Sequence, residues 1–244
     1  MKIMTLNVNG FRGHQNYPYI ENIYLNNMVN IKKIIDNLLI NDNDIIILQE
    51  VPHKIKQKDR WVWYENPLYN KFIEVFKEYK ILKPKHLINS WQCTVAICRE
   101  SSSWEQISKD TLKYDSKFSY GNKIVELQCE DISLIGVHMN PSNEMWSLLI
   151  SALEFSEYTF IVGDFNANEK NGEMSDKPNI LKSNGYNAFI PNNIITYYPA
   201  ETSIDNIYIN RDYNLNKDFS IKVKNTKLTD HALCIFEYGN ELEV

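Results

Sequence analysis

A chain of 244 residues suits one large domain or two small ones, and 43 % hydrophobic residues with 15 tyrosines supply enough core material to exclude intrinsic disorder. A formal charge of −5 is not the basic footprint of a tight, sequence-blind nucleic-acid binder. No run approaches the ~18 apolar residues of a membrane span, and polar Asn7 arrives too early for the apolar core of a signal peptide, so a cytoplasmic protein with no membrane partner is expected.

In chain order, Lys2 to Val8 reads as a short apolar strand. Apolar residues then recur at Ile31, Ile34, Ile35, Leu38 and Leu39 with helical spacing. Asp42-Asn43-Asp44 breaks that helix, and Ile45 to Leu48 reads as a buried strand ending at Glu50. Leu68, Phe72, Ile73 and Phe76 predict a second helix. Thr94 to Cys98, Ile124 to Cys129 and Ile132 to Val137 predict strands of hairpin type. Trp146, Leu149, Ile150 and Leu153 mark a third helix before the strand Tyr158 to Gly163. The last third is looser, with strands at Ile204 to Ile209, Phe219 to Val223 and Ala232 to Tyr238. Strands and helices mixed at this density indicate an α/β or α+β layered domain. Cys93, Cys98, Cys129 and Cys234 lie in apolar stretches without metal-type spacing and read as buried reduced thiols.

Polar clusters sit at the ends of several of these runs: Asn7-Val8-Asn9-Gly10, Gln49-Glu50, Gly136-Val137-His138, Gly163-Asp164-Phe165-Asn166, Ser203-Ile204-Asp205 and Thr229-Asp230-His231. Glu50 closes an apolar strand, and an oxygen ligand there suits a hard cation such as Mg²⁺ or Mn²⁺. Asp164 and Asn166 are two apart, so an extended segment would project both from one face, and Gly163 would let the backbone approach closely. Four acids (Glu50, Asp164, Asp205, Asp230) supply most of the charge imbalance, because 26 basic residues otherwise meet 27 acidic ones. A bound cation would offset them locally, so acidity does not exclude an anionic substrate.

The ordered set resembles the endonuclease/exonuclease/phosphatase superfamily, the deoxyribonuclease-I-like phosphodiesterases. The resemblance runs from Lys2 to about Tyr238, and Ile161-Val162-Gly163-Asp164-Phe165-Asn166 and Asp230-His231 carry it most specifically. It implies a single domain over 1–244 with a four-layer α-β-β-α sandwich: two packed mixed β-sheets flanked by helices. The implied metal residues are Glu50, Asp230 and Asn9. The implied catalytic residues are His138, Asp164, Asn166, Asp205 and His231. Asn7, Asn166, His231 and Arg12 are implied substrate contacts, although a solvated surface Arg12 reads equally well.

Within the resemblance, Asp205 holds one ring nitrogen of His231 so that the other faces the scissile phosphate. Asp164 orients the attacking water. His138-Met139-Asn140-Pro141-Ser142 is similar to the deoxyribonuclease-I-type stretch whose His acts as general acid; abasic-site endonucleases usually carry Tyr there. The Glu that orients this His in that type is replaced here, near Asn89-Ser90-Trp91, by Gln92 and Cys93. Trp61, Trp63 and Tyr64, among the cations of Lys54 to Arg60, form either a base-stacking surface or the packing of a loop.

The expected activity is metal-dependent hydrolysis of a phosphodiester in nucleic acid, DNA favoured over RNA, by a monomer. A phosphatase or a lipid or inositol-phosphate phosphodiesterase is the alternative. Asn206 weakens it, standing where the inositol-polyphosphate branch carries Arg after the late Asp. A catalytically silent binding protein is the remaining reading.

Overall fold

The structure is a computed structural model that describes residues 1–13, 20–56, 62–107, 120–140, 143–155, 158–167, 176–213 and 219–238. The first half runs β1 (Lys2–Asn7), α1 (Glu21–Asp36), β2 (Ile45–Pro52), β3 (Lys54–Lys56), β4 (Trp63–Glu65), α2 (Pro67–Val75), β5 (Tyr79–Leu82), β6 (Gln92–Arg99) and β7 (Glu105–Gln106). The second half runs β8 (Ile124–Cys129), β9 (Ile132–His138), α3 (Asn143–Phe155), β10 (Phe160–Asp164), α4 (Lys177–Ser183), β11 (Tyr186–Ala188), β12 (Asp205–Asn210), β13 (Phe219–Asn225) and β14 (Ala232–Tyr238).

Two mixed six-stranded sheets result, ordered β13-β14-β1-β2-β6-β5 and β11-β12-β10-β9-β8-β7. Alternation along the strands builds the layers. Ile3, Ile45, Ile47, Val125, Leu134, Phe160, Val162 and Ile207 face inward and form the core between the sheets. Met4, Leu6, Ile46 and Leu48 face the other way and pack under α1 and α2. Ile135, Val137 and Ile161 do the same under α3. The four-layer sandwich implied by the sequence is therefore the observed architecture. All four cysteines are buried and free, as expected. Among the described residues, no helix is long and apolar enough to cross a membrane.

Two local expectations change. α1 begins at Glu21, ten residues before the apolar run at Ile31, because Tyr24 and Met28 extend its buried stripe. The segment after Asp164 is not extended. Asn166 adopts a left-handed conformation (φ 48°), its N–H donates to Asp164 Oδ1 at 2.9 Å, and its side-chain amide donates to the Met139 carbonyl at 2.9 Å. The two side chains thus leave the strand by a turn instead of sharing a face, since the short Asp side chain caps its own backbone two residues on.

Candidate active site

The same alternation that fills the core delivers the site. On β1 the inward row is Ile3, Thr5, Asn7; on β9 it ends at His138; on β10 it ends at Asp164; on β12 it starts at Asp205. The register aligns His138, Asp164 and Asp205 across neighbouring strands. These polar ends gather where the space between the sheets opens. Gly163 permits the alignment: at φ 150°, an added Cβ would lie 1.9 Å from the Val137 carbonyl oxygen, a contact no side chain could relieve.

Glu50 arrives by a different route. β2 does not end there; its pairing with β6 slips between Leu48 and Val51, and Glu50 takes φ 57°. This bulge turns Glu50 out of the alternating rows and toward the cleft. Its carboxylate is then clamped: Asn7 Nδ2 donates to Oε1 at 3.1 Å and Gln92 Nε2 donates to Oε2 at 2.8 Å. Asn7 Nδ2 also donates to Asp164 Oδ2 at 2.9 Å, so one amide spaces the two acids. His138 Nε2 lies 3.7 Å from Glu50 and 3.9 Å from Asp164.

The late motif closes the site. His231 Nδ1 lies 2.9 and 3.2 Å from the two oxygens of buried Asp205, and its ring rests on Tyr197. Thr196 Oγ1 accepts from the N–H of Ile204 and of Asp205, while Thr229 Oγ1 donates to the Asn7 carbonyl at 2.8 Å and ties this segment to β1. Asp230 is buried beside it, its Oδ1 3.3 Å from the same Thr229 hydroxyl. Asn9 is buried, left-handed (φ 46°), and donates its backbone N–H to Asn7 Oδ1. Arg12 is exposed and lines the cleft beside Glu50. Asn206 is structural: it brackets the backbone of Ile190 with both ends of its amide. Pro141, Ser142 and Trp61 lie outside the described residues.

Electrostatics separate these groups. For His231, burial favours the neutral ring, but Asp205, with Asp164 and Asp230, raises its pKa to about 10, so it is protonated at neutral pH. Burial lowers His138, with Lys123 adding to the effect, and leaves it neutral there. Burial and then the charge of Asp205 raise the Asp164 carboxyl above the usual range. Burial also acts to raise Glu50, but His138 and the bonds from Asn7 and Gln92 hold it below the ordinary value.

The sequence does not point to Lys123, and it offers Gln92 only as the residue in place of the orienting Glu. Lys123 ends a short 3-10 turn (Gly121–Lys123) immediately before β8, close enough for its charge to act on His138. Burial depresses its ammonium against the pull of Glu50 and Asp164. Gln92 occupies the neighbourhood of the expected orienting Glu, yet its partner is Glu50 and not His138.

The donors fit a hard cation: Glu50, Asp164, Asp205 and Asp230 supply carboxylate oxygens at this end. Among the described residues, the one group of three ligand-type side chains within 4.8 Å of each other is Asp164, Asp205 and His231. Asp205 spends both oxygens on His231, so this group reads as an oriented imidazolium and not as a metal cage. Glu50, facing the cleft, is the better ligand.

No protein-family model matches the chain, and no curated protein matches it. Solved structures do. The endonuclease domain of TRAS1, a telomere-specific non-LTR retrotransposon, gives a TM-score of 0.62 at 12 % identity, with 97 % of each chain covered. A 3'-5' exonuclease from Neisseria meningitidis gives 0.61 at 15 % identity, covering 98 % of this chain and 100 % of that one. An endonuclease/exonuclease/phosphatase family protein from Leptotrichia buccalis gives 0.62 at 16 % identity with the same coverage. The chain has the fold of these proteins.

Proposed function

We propose that residues 1–244 act as one domain and a monomer, hydrolysing phosphodiesters of nucleic acid with a divalent cation, DNA favoured over RNA. The observation that carries this reading is the convergence of the Asn7-spaced acids Glu50 and Asp164 with the Asp205–His231 pair at one sheet end. One structure of the same fold is described as a 3' phosphatase bound to product DNA hairpin, which supports a nucleic-acid substrate.

Glu50, with Asp230 and Asn9 nearby, would hold Mg²⁺ or Mn²⁺, which supplies charge neutralisation of the phosphate oxygens and of the leaving oxygen. Asp164 orients the attacking water and takes its proton, and a carboxylate raised above its usual range is the better base for that task. Its geometry is set by Asn7 on one oxygen and the Asn166 N–H on the other. Protonated His231 presents Nε2 to the charge that builds on phosphorus-bound oxygen, while Asp205 fixes its tautomer. His138, kept neutral by burial, donates a hydrogen bond through Nε2 and assists the leaving oxygen. Lys123 and Arg12 neutralise phosphate oxygens on either side.

The test is a metal-supplemented panel of single- and double-stranded DNA, RNA, an inositol phosphate and sphingomyelin. Cleavage of DNA, weaker cleavage of RNA and none of the lipids is expected. Hydrolysis of a lipid with both nucleic acids untouched would move the protein to the phosphatase alternative. For Lys123, substitution by Met should lower kcat/KM on DNA roughly ten- to hundred-fold, the loss of one charged hydrogen bond. It should also reduce the slope of log affinity against log salt by about one. An unchanged salt slope would assign Lys123 a purely structural place.

A further inference from the structure

Glu50 and Arg12 line one side of a cleft of about 700 Å³ whose remaining walls the chemistry above does not use. Its walls are Pro52, Ile55, Leu68 and Trp91, with Arg12 and Asn66 at polar positions. Trp91 is 56 % exposed and Ile55 40 % exposed, a large apolar area to leave in water without an occupant. The backbone beneath the indole is tied down. The Trp91 carbonyl accepts from His53 N–H at 2.9 Å, the Ser90 carbonyl from Lys54 N–H at 3.0 Å, and Asn122 Nδ2 bonds both Ser90 Oγ and the Gln92 carbonyl. Trp63 meets its ring edge-on, with centroids 5.5 Å apart. An exposed aromatic on an anchored loop, steadied by an edge-on ring, offers a flat face to a ligand at a low cost in loop ordering.

We propose that this cleft is a subsite for the unpaired base of a single-stranded or frayed nucleotide, stacked on Trp91 next to the scissile phosphate. The proposal rests on the nuclease reading above and names the form of substrate it takes. Three features select a nucleotide. The residue after Trp91 is Gln92, whose side chain clamps Glu50, so an occupant of the indole face adjoins the phosphate site. Arg12 has no side-chain partner among the described residues and folds over Gly10, its Nε 3.6 Å from where a Cβ of Gly10 would stand. It can take a backbone phosphate at the cleft's edge. Asn66 spends its carbonyl oxygen on the Leu68 N–H, leaving its amide hydrogens for a base edge. The base must be unpaired, since a base inside a duplex has both faces covered by its neighbours and cannot enter a concave wall.

This differs from the stacking surface expected at Trp61, Trp63 and Tyr64. Trp63 is half-buried against Trp91 with Lys56 over its ring, and Trp91 supplies the open face.

The test compares the wild-type protein, Trp91→Ala and Trp91→Phe on single-stranded oligonucleotides that carry either a normal nucleotide or an abasic one beside the cleaved bond, and on a blunt duplex. Binding is read in parallel by quenching of 2-aminopurine at the same position. Trp91→Ala should lower kcat/KM and binding roughly ten- to hundred-fold for the normal single strand, the span for one lost base stack. It should change the abasic strand and the duplex by less than about threefold, and Trp91→Phe should retain most of the normal activity. Equal losses on normal and abasic strands, or no loss on either, would overturn the subsite while leaving the nuclease reading intact. A wild-type protein that neither binds nor cleaves any oligonucleotide would overturn both.

Discussion

Replacing Asp164 by Asn is expected to lower turnover about 10²- to 10⁴-fold, the range for loss of a positioned base. The fold should survive, because an amide there still accepts from the Asn166 N–H and no longer repels Asp205. The denaturant midpoint should therefore stay level or rise while activity disappears. His231→Ala should cost a further, separable ~10²- to 10³-fold as a lost stabiliser of developing charge. Asp205→Asn should be milder, since it leaves the ring in place but deprives it of the charge that keeps it protonated. Near-normal rates in both Asp164→Asn and His231→Ala would place the chemistry elsewhere.

The pH behaviour of the pair follows from the sign of its shift. His231 titrates at about 10 in the folded protein, above its ordinary 6.5. Its ion pair thus stabilises the fold fully below about pH 6.5, and that stability is lost as pH rises through about 10. The gap in denaturant midpoint between wild type and Asp205→Asn should be widest near pH 6 and close toward pH 10. A gap that is constant across this range would mean His231 is neutral throughout.

Removal of divalent metal by a chelator should abolish hydrolysis, and Mg²⁺ or Mn²⁺ should restore it. The Glu50 carboxylate faces the cleft and Asp164 hydrogen-bonds the same Asn7 amide, so oxygen ligands for a hard cation stand together there. Glu50→Gln should raise the metal concentration needed for half-maximal activity by an order of magnitude or more. Its effect on folding should be small, because the side chain faces the cleft and its amide oxygen still accepts from one of its two donors, Asn7 or Gln92. Full activity of metal-stripped protein in chelator would remove Glu50 from its assigned role.

The sequence by itself did not determine the short strands β3, β4, β5, β7 and β11, nor that β2 runs past Glu50, but it determined the other nine strands and most of the polar residues at their ends. These are local properties: period-2 alternation through Ile3, Thr5 and Asn7, or through Phe160, Val162 and Asp164, places a polar group on the core side wherever the apolar run stops. The family resemblance added the pairing of Asp205 with His231, which the structure brings to 2.9 Å. Tertiary structure alone decided what happens between distant segments. Asn7 reaches Asp164 across 157 positions of sequence and Gln92 reaches Glu50 across 42, and no local period encodes either contact. The bulge that re-aims Glu50 exists only because β6 pairs with β2 on both sides of it. Lys123 gains meaning only from its nearness to Glu50, Asp164 and His138, and Trp91 only from the cleft that β2, α2 and its own loop enclose. A side chain's chemistry is written in its type, but its partners are set by register and packing, which depend on the whole chain at once.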